Sequence, residues 1–309
     1  MNDIVWRWGE AEQADWSALI DRATDPVLEQ SWAYGAAIAA VSPYRVRRGV
    51  CYRGDEPVAL LQVFERPVAG IVNIAKILRG PALLAPLSSE EWVAMLQPIA
   101  TARRIRYRRP LFWLPHLKNA DAPMKQLGKR PMLVGHATAM LDLAQDEAAL
   151  RGGLDGKWRN QLVKAEGGKL RVQQAKGGQT LQMLAERHEV YRRGHRHRGP
   201  SDREILALVR ALERKDDALV LTAYTGNLPL AGMLFLRHGR GATYHAAWTS
   251  PVGRQENAHN LLLWRGMLAM KQRGAAFLDL GGLDAKAPGV ARFKLGSGAR
   301  VEELAATYL

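Results

Sequence analysis

The residues with most to offer chemically lie toward the C-terminal end of this 309-residue chain. Lys294 follows Phe293, an apolar anchor, and precedes Gly296-Ser297-Gly298, where bare backbone lets a substrate come close. A lysine offered to an anionic substrate must stay charged, so glycine-lined access to water is expected there rather than burial. Upstream, Phe277-Leu278-Asp279-Leu280 runs into Gly281-Gly282. A small acid at a strand end beside two glycines is a common ligand edge in α/β folds. Tyr244 and Trp248 precede it, in Tyr244-His245-Ala246-Ala247-Trp248.

A second group is basic. Residues 151–198 hold twelve Lys or Arg against four Asp or Glu, a net +8 within a formal +14 for the chain. Lys157, Gln161 and Lys164 share one helical face at i, i+4 and i+7, and Arg159 and Asn160 flank it beside Trp158. Arg193, His195, Arg196 and Arg198 crowd a loop closed by Gly199-Pro200, read as an anion-binding loop or a solvated one. His195-x-His197 lacks the further ligands a metal site needs, and no metal is expected. Arg103, Arg104, Arg106, Arg108 and Arg109 form another cluster. Such basicity favours polyanions, namely tRNA, nucleotide-linked sugars, phospholipid headgroups or a pyrophosphate. Solvated helix faces explain it equally well, because base-stacking aromatics are thinly interleaved.

Absent motifs narrow the field. The chain has no phosphate-binding Gly-x-x-x-x-Gly-Lys-Ser/Thr loop, Gly-x-Gly-x-x-Gly turn, Gly-x-Ser-x-Gly elbow or Cys-x-x-Cys pair. Common kinase, dehydrogenase, serine-hydrolase and zinc chemistries are thereby removed. One cysteine, Cys51, excludes an intrachain disulfide and fits a reducing compartment. No segment reaches the roughly 18 apolar residues of a membrane span, and the N-terminus shows no secretion signal. A cytoplasmic protein is expected.

The elements that must position these residues follow from periodicity. Helices are expected over 14–23, 31–41, 88–104, 122–128, 147–154, 157–166, 180–193, 201–214 and 257–273. Ser31 and the Ser88-x-x-Glu91 box supply start signals. Strands are expected over 44–53, 57–65, 71–78, 110–115, 137–143, 169–174, 218–224, 228–237, 241–248 and 277–280. The three from 218 to 248 form an antiparallel meander through Gly-containing turns. Strands mixed with helices make the chain α/β or α+β, and its length fits two domains.

Taken in order, these motifs resemble the Fem-type (FemAB/FemX-like) aminoacyltransferases. Lys157-x-Arg159-Asn160-x-x-x-Lys164-Ala165 matches that family's signature throughout. Tyr244…Ala247-Trp248, Leu262-x-Trp264, Phe277-x-Asp279-x-Gly281-Gly282 and Phe293-Lys294-x-x-x-Gly298 follow in sequence. Gln30-Ser31-Trp32 and Arg79-Gly80-Pro81 extend the likeness over the first half. The resemblance implies two tandem GNAT-like (acyltransferase-type) domains with mixed sheets. They would be 1–145 and 146–290, with the last strand, 300–308, returning to complete the first.

It further implies transfer of an aminoacyl or acyl group onto an amine, with aminoacyl-tRNA as co-substrate and no bound cofactor. The acceptor would be anionic or nucleotide-linked, as in peptidoglycan or other cell-envelope precursors. Lys294 would be the catalytic cation. Lys157, Trp158, Arg159, Asn160, Arg193, His195, Arg196, Arg198, Tyr244, Trp248, Asp279 and Gly296 would bind substrate. Two departures bear on the acceptor. The family's substrate-face lysine falls at Ala36-Ala37 here and its acid at Leu84. An acyl-CoA-dependent N-acyltransferase of polysaccharide or lipid precursors is the alternative. Against it, Arg254-Gln255-Glu256-Asn257-Ala258-His259 has no glycine where backbone amides would cradle a pyrophosphate. A non-catalytic polyanion-binding module is the third reading.

Overall fold

A computed structural model describes residues 4–68, 72–101, 111–194 and 199–309. The chain divides into two compact units. One comprises Met1–Ala137, His238–Arg240 and Glu303–Leu309, and the other Thr138–Arg237 and Gly241–Glu302.

The first unit runs β1 (Ile4–Trp8), α1 (Gln13–Arg22), α2 (Trp32–Val41), β2 (Arg45–Arg53), β3 (Glu56–Val68), β4 (Val72–Leu78), β5 (Ala82–Leu83), α3 (Ser89–Ala100), β6 (Leu111–Leu114), α4 (Asp121–Gln126) and β7 (Pro131–Leu133). The second holds β8 (Ala137–Asp142), α5 (Glu147–Gly152), α6 (Gly156–Glu166), β9 (Arg171–Ala175), α7 (Gly178–Gly194), α8 (Asp202–Ala211), β10 (Ala218–Thr225), β11 (Leu228–His238), β12 (Gly241–Thr249), α9 (Pro251–Gln255), α10 (Ala258–Gln272), β13 (Phe277–Gly282), α11 (Pro288–Gly296) and β14 (Arg300–Glu303). A last strand, β15 (Thr307–Tyr308), joins the first unit's sheet. The single strand expected over 300–308 is therefore two, with β14 in the second unit's sheet.

In the first unit the strand order is β1-β2-β3-β4-β6-β15-β7, with β5 on β3. Gln30 is its internal latch. Fully buried, it donates from Nε2 to Leu78 O at 2.7 Å and accepts from Gln62 N at 2.8 Å. Trp16 Nε1 donates to its carbonyl at 2.9 Å. The Gln30-Ser31-Trp32 string thus closes a core, with Ser31 capping α2 through Tyr34 N. The Ser88 capping box forms as the sequence requires.

The second unit's sheet has the order β14-β8-β13-β12-β11-β10-β9. Its core joins α6 and α10 to one sheet face. Helix α10 buries Leu261, Leu262, Leu263, Trp264, Met267 and Met270, so it is apolar on more than one side. Gly266 lets it lie close, since a Cβ there would stand 2.1 Å from the Phe235 ring. α9 and α11 replace what periodicity left as loop. Ser250 caps α9 through Gly253 N, and Pro251 and Pro288 open their helices where a missing N–H costs nothing.

Filling the Gly266 contact should disturb this packing. Gly266→Ala is expected to cost about 1–3 kcal/mol, read as a lower midpoint in urea or thermal unfolding. An unchanged midpoint would show that Phe235 repacks freely.

Candidate active site

The site grows from one feature of the second unit's sheet. β12 and β13 run parallel and pair at Gly241–Phe277, Ala242–Leu278 and Thr243–Asp279, where the pairing ends. β12 continues to Thr249 and β13 to Gly282, so the strands part at their C-terminal ends. In open α/β sheets such a parting at strand C-termini is where ligands enter.

Lys294 stands at the β13 edge of that opening. It lies on α11, not in a glycine-rich turn, and only 7% of it is exposed. The expectation of an open, water-lined lysine is corrected by what surrounds it. Nζ donates to Gly282 O at 2.8 Å, and Asp279 supplies a nearby negative charge. Burial pushes its pKa down against the pull of Asp279. Gly281, at φ 81°, turns the strand end so that this carbonyl can receive the ammonium, and its Cα side faces Nζ.

Asp279 is buried as well. It accepts from Thr138 Oγ1 at 2.5 Å and from Gly281 N at 2.7 Å, which ties β8 to β13 and fixes the turn. Its contacts are with the protein's own Thr138 and Gly281 and with the charge of Lys294, so it is not a bare ligand edge. The glycines after Lys294 are also closed. A Cβ at Gly296 would meet Trp158 at 2.9 Å and one at Gly298 the Gly153 carbonyl at 3.1 Å. Their bare backbone admits the protein's own groups in place of the expected substrate.

Trp158 is the anchor of this corner. It is 3% exposed, donates from Nε1 to Phe293 O at 3.1 Å, and packs its ring 6.1 Å from that of Phe293. Its place in the substrate-binding set is corrected to packing, since it seats α11 on α6. Arg159 donates to Gly152 O and Leu154 O, both at 3.0 Å, and so caps the end of α5. Lys157, Asn160 and Lys164 are exposed and offer a basic face. Arg193 is exposed yet bonded to Glu189 Oε1 at 2.5 Å, and Arg192 reaches both Glu189 oxygens at 2.7 Å. These contacts hold Glu189 down at about 2. His195, Arg196 and Arg198 lie outside the described residues, as does the 103–109 cluster.

Tyr244 faces the core, its ring 6.0 Å from Phe235, and burial pushes its phenol up. The residue as a whole stays half-buried. Trp248 is 5% exposed, with the Arg187 guanidinium 4.4 Å over its ring.

Three histidines escaped the reading of the sequence. His259, at the start of α10, hydrogen-bonds Trp248 O at 2.9 Å and sets its ring 6.0 Å from Phe293. It thus holds the departing end of β12 against α11. His188 and His245 pack between α7 and β12. Their signal was a histidine at the next apolar position after Leu181, Leu184 and Ala185, and another inside a strand otherwise poor in polar groups. Asn257 holds φ 53° and ψ 35° before α10, the left-handed conformation expected of glycine. The missing glycine therefore leaves the backbone path intact and adds a side chain to it. Among the described residues no cluster of three metal-ligating side chains occurs, and no helix is long and apolar enough to cross a membrane.

Residues 156–295 match the family model described as an acetyltransferase (GNAT) domain. A search of curated proteins returned no match. Among solved structures, FemX is similar over 98% of this chain and 96% of its own, with TM-score 0.84 at 13% identity. The C-terminal domain of a putative lysylphosphatidylglycerol synthetase from Agrobacterium fabrum gives TM-score 0.56 at 17% identity, over 96% of this chain and 92% of its own. A tandem GNAT protein from the clavulanic acid biosynthesis pathway gives 0.56 at 11% identity, over 98% of each chain. The fold is that of the FemX-like tandem GNAT proteins, and the residues that match the acetyltransferase (GNAT) domain lie, apart from His238–Arg240, in the second unit.

Protonation should couple this corner to stability. Burial, opposed by the Trp248 carbonyl and aided by Arg254, holds His259 down at about 4; burial and His188 do the same for His245. Unfolded, each would titrate near 6.5, so between those values the unfolded chain binds more protons. Stability is expected to be full above pH 6.5 and to fall as pH drops through 4. Urea unfolding at pH 7 and pH 4.5 checks this, and a His259→Gln/His245→Gln variant should flatten the difference.

Proposed function

We propose that this FemX-like tandem GNAT chain is a transferase that moves an aminoacyl group from aminoacyl-tRNA onto an amine. The supporting observation is the buried Lys294 ammonium, fixed on Gly282 O where β12 and β13 separate. Aminolysis of an activated ester asks little covalent help from a protein. It needs the amine deprotonated, both reactants held in line, and a donor where the oxyanion develops. One N–H of Lys294 goes to Gly282 O, and two remain for an oxyanion or a leaving-group phosphate. In a water-poor corner such a cation is worth far more than at a surface.

The exposed face of Lys157 and Lys164 supplies charge for the donor's phosphates, with Asn160 beside them as a neutral hydrogen-bonding group. The acceptor is read as an amine on an anionic or nucleotide-linked cell-envelope precursor, worked on in the cytoplasm with no bound cofactor. In the first unit, the positions of the family's lysine and acid are buried Ala37 and half-buried Leu84, so a different acceptor grip is required. Acyl-CoA is the second donor reading, favoured by the acetyltransferase family match and by Asn257 keeping a glycine-like turn before α10. Mass spectrometry of ligands retained by the purified protein separates the two. Acylated tRNA supports the first reading, and CoA the second.

Lys294→Met keeps the stem and removes the cation. Transfer is expected to fall roughly 100- to 1000-fold, with the circular dichroism spectrum unchanged. A near-normal rate would remove Lys294 as the catalytic cation, and a wild-type protein that transfers nothing would favour a binding module. Charge reversal at Lys157 and Lys164 should weaken tRNA binding and reduce the slope of log K against log salt by about one unit per lost contact. Filter binding across a salt series reads this, and an unchanged slope would leave that face merely solvated.

A further inference from the structure

A polar cluster between α7 and the second unit's sheet takes no part in the chemistry assigned to Lys294. Thr222 is fully buried and His188 and Trp248 are each 5% exposed. Yet Thr222 Oγ1, His188 Nε2, Trp248 Nε1 and His245 Nε2 are buried without a hydrogen-bond partner. Such atoms in a folded interior call for a reason. They are neighbours in the fold. Thr222 pairs with Gly232 across β10 and β11, and the Trp248 indole occupies the space of a Gly232 side chain, 2.6 Å from its Cβ position. Leu184, one turn before His188 on α7, reaches the same glycine.

His188 fixes the protons of the cluster. Its Nδ1 lies 2.9 Å from Ala247 O. A carbonyl only accepts, so Nδ1 carries the hydrogen and Nε2 is left with a lone pair. Ala247 is two residues beyond His245 on the same strand, and the two imidazoles interact electrostatically. The two Nε2 atoms are not bonded to each other, and the tautomer that avoids a second buried lone pair beside that of His188 puts the His245 hydrogen on Nε2. Nδ1 of the half-exposed His245 ring then holds a lone pair. His245 lies two residues past Thr243, where β12 leaves β13, and so on the strand opposite Lys294 across the parting.

Resting on the transferase reading above, we propose that His245 takes the proton of the attacking amine and that His188, seated on the Ala247 carbonyl, is its positioning residue. The amine lone pair forms the bond to the donor's carbonyl carbon, and the amine proton passes to His245 Nδ1. The carbon–oxygen bond to the leaving group breaks with its electron pair, and that oxygen takes the proton back. One amine and one ester give one amide and one alcohol, with no further reactant. A base must begin neutral. Burial first, and His188 second, hold His245 down at about 4, so it is neutral at pH 7. His188 is the group that acts on it, while Tyr191 of α7 acts on the neighbouring Tyr244, and Arg187 and His259 contact Trp248 farther along the strand. Glu189 is committed to Arg192 and Arg193.

The full chain labelled with 15N-histidine tests the proton arrangement in long-range proton–nitrogen spectra, assigned with His188→Gln and His245→Gln. Expected are the Nδ1–H form for His188, the Nε2–H form for His245, and no titration of His245 above about pH 5, two units below a neutral assay. An Nδ1–H form for His245 overturns the proposal. Transfer from bulk aminoacylated tRNA, and separately from acetyl-CoA, to ethylenediamine tests the role. His245→Gln should lower kcat about 100-fold or more, with the donor's KM little changed. His188→Phe should lower it less and move the acid limb of the pH profile upward. A His245→Gln protein with the wild-type kcat overturns the role and leaves the transferase standing. A wild-type protein that uses neither donor overturns the transferase reading, and the base with it.

Discussion

The second unit depends on an interrupted parallel pairing. Three residue pairs hold β12 to β13, and then the strands go separate ways. Every backbone group past that point needs another partner if it is buried. The partners are what define the site. The Trp248 carbonyl bonds His259, the Ala247 carbonyl bonds His188, and the Gly282 carbonyl receives Lys294. Each orphaned carbonyl has thus recruited a side chain able to carry a proton or a positive charge. The chemistry of the corner follows from the sheet's failure to close.

These recruited groups are held by packing behind them. Trp158 of α6 joins the carbonyl of Phe293, and Phe293 lies against both Trp158 and His259. Asp279 binds Thr138 on one side and Gly281 on the other, so the strand end that presents Gly282 O is fixed in place. In the proposed reaction Lys294 would meet a charge only in the transition state, and such pre-organisation would leave little reorganisation for the reaction itself. Desolvation raises the cost of keeping Lys294 charged, and Asp279 offsets part of that cost.

Much of this was legible in the sequence, for identifiable reasons. Helices with strong start signals, such as those after Ser31 and Ser88, emerged where periodicity and caps agreed. The order of motifs from Lys157 to Gly298 led to the right fold. Burial did not show. Trp158 and Gly296 look like substrate contacts when only residue type is weighed, and they pack against each other instead. α11 was hidden because Gly289 and Pro288 read as loop, although proline is well placed in a first helical turn. β1 was missed because Ile4–Trp8 is a short edge strand of alternating exposure, defined by its pairing with β2 and not by its own sequence.

The histidines illustrate a deeper limit. Spacing along the chain says that His188 falls on the apolar stripe of α7, which reads as a satisfied core residue. Its meaning lies in a carbonyl of another element, 59 positions away. Asn257 makes the same point from the backbone. Residue type says that a glycine is lacking, whereas φ 53° shows the glycine's conformation adopted by a residue that tolerates it. The consequence is chemical. A path that would let bare amides approach a pyrophosphate now carries an amide side chain, beside a histidine already committed to Trp248. The start of α10 therefore serves to pin the departing β12, and in the proposed reaction an anionic donor would be bound by Lys294 and the basic face of α6.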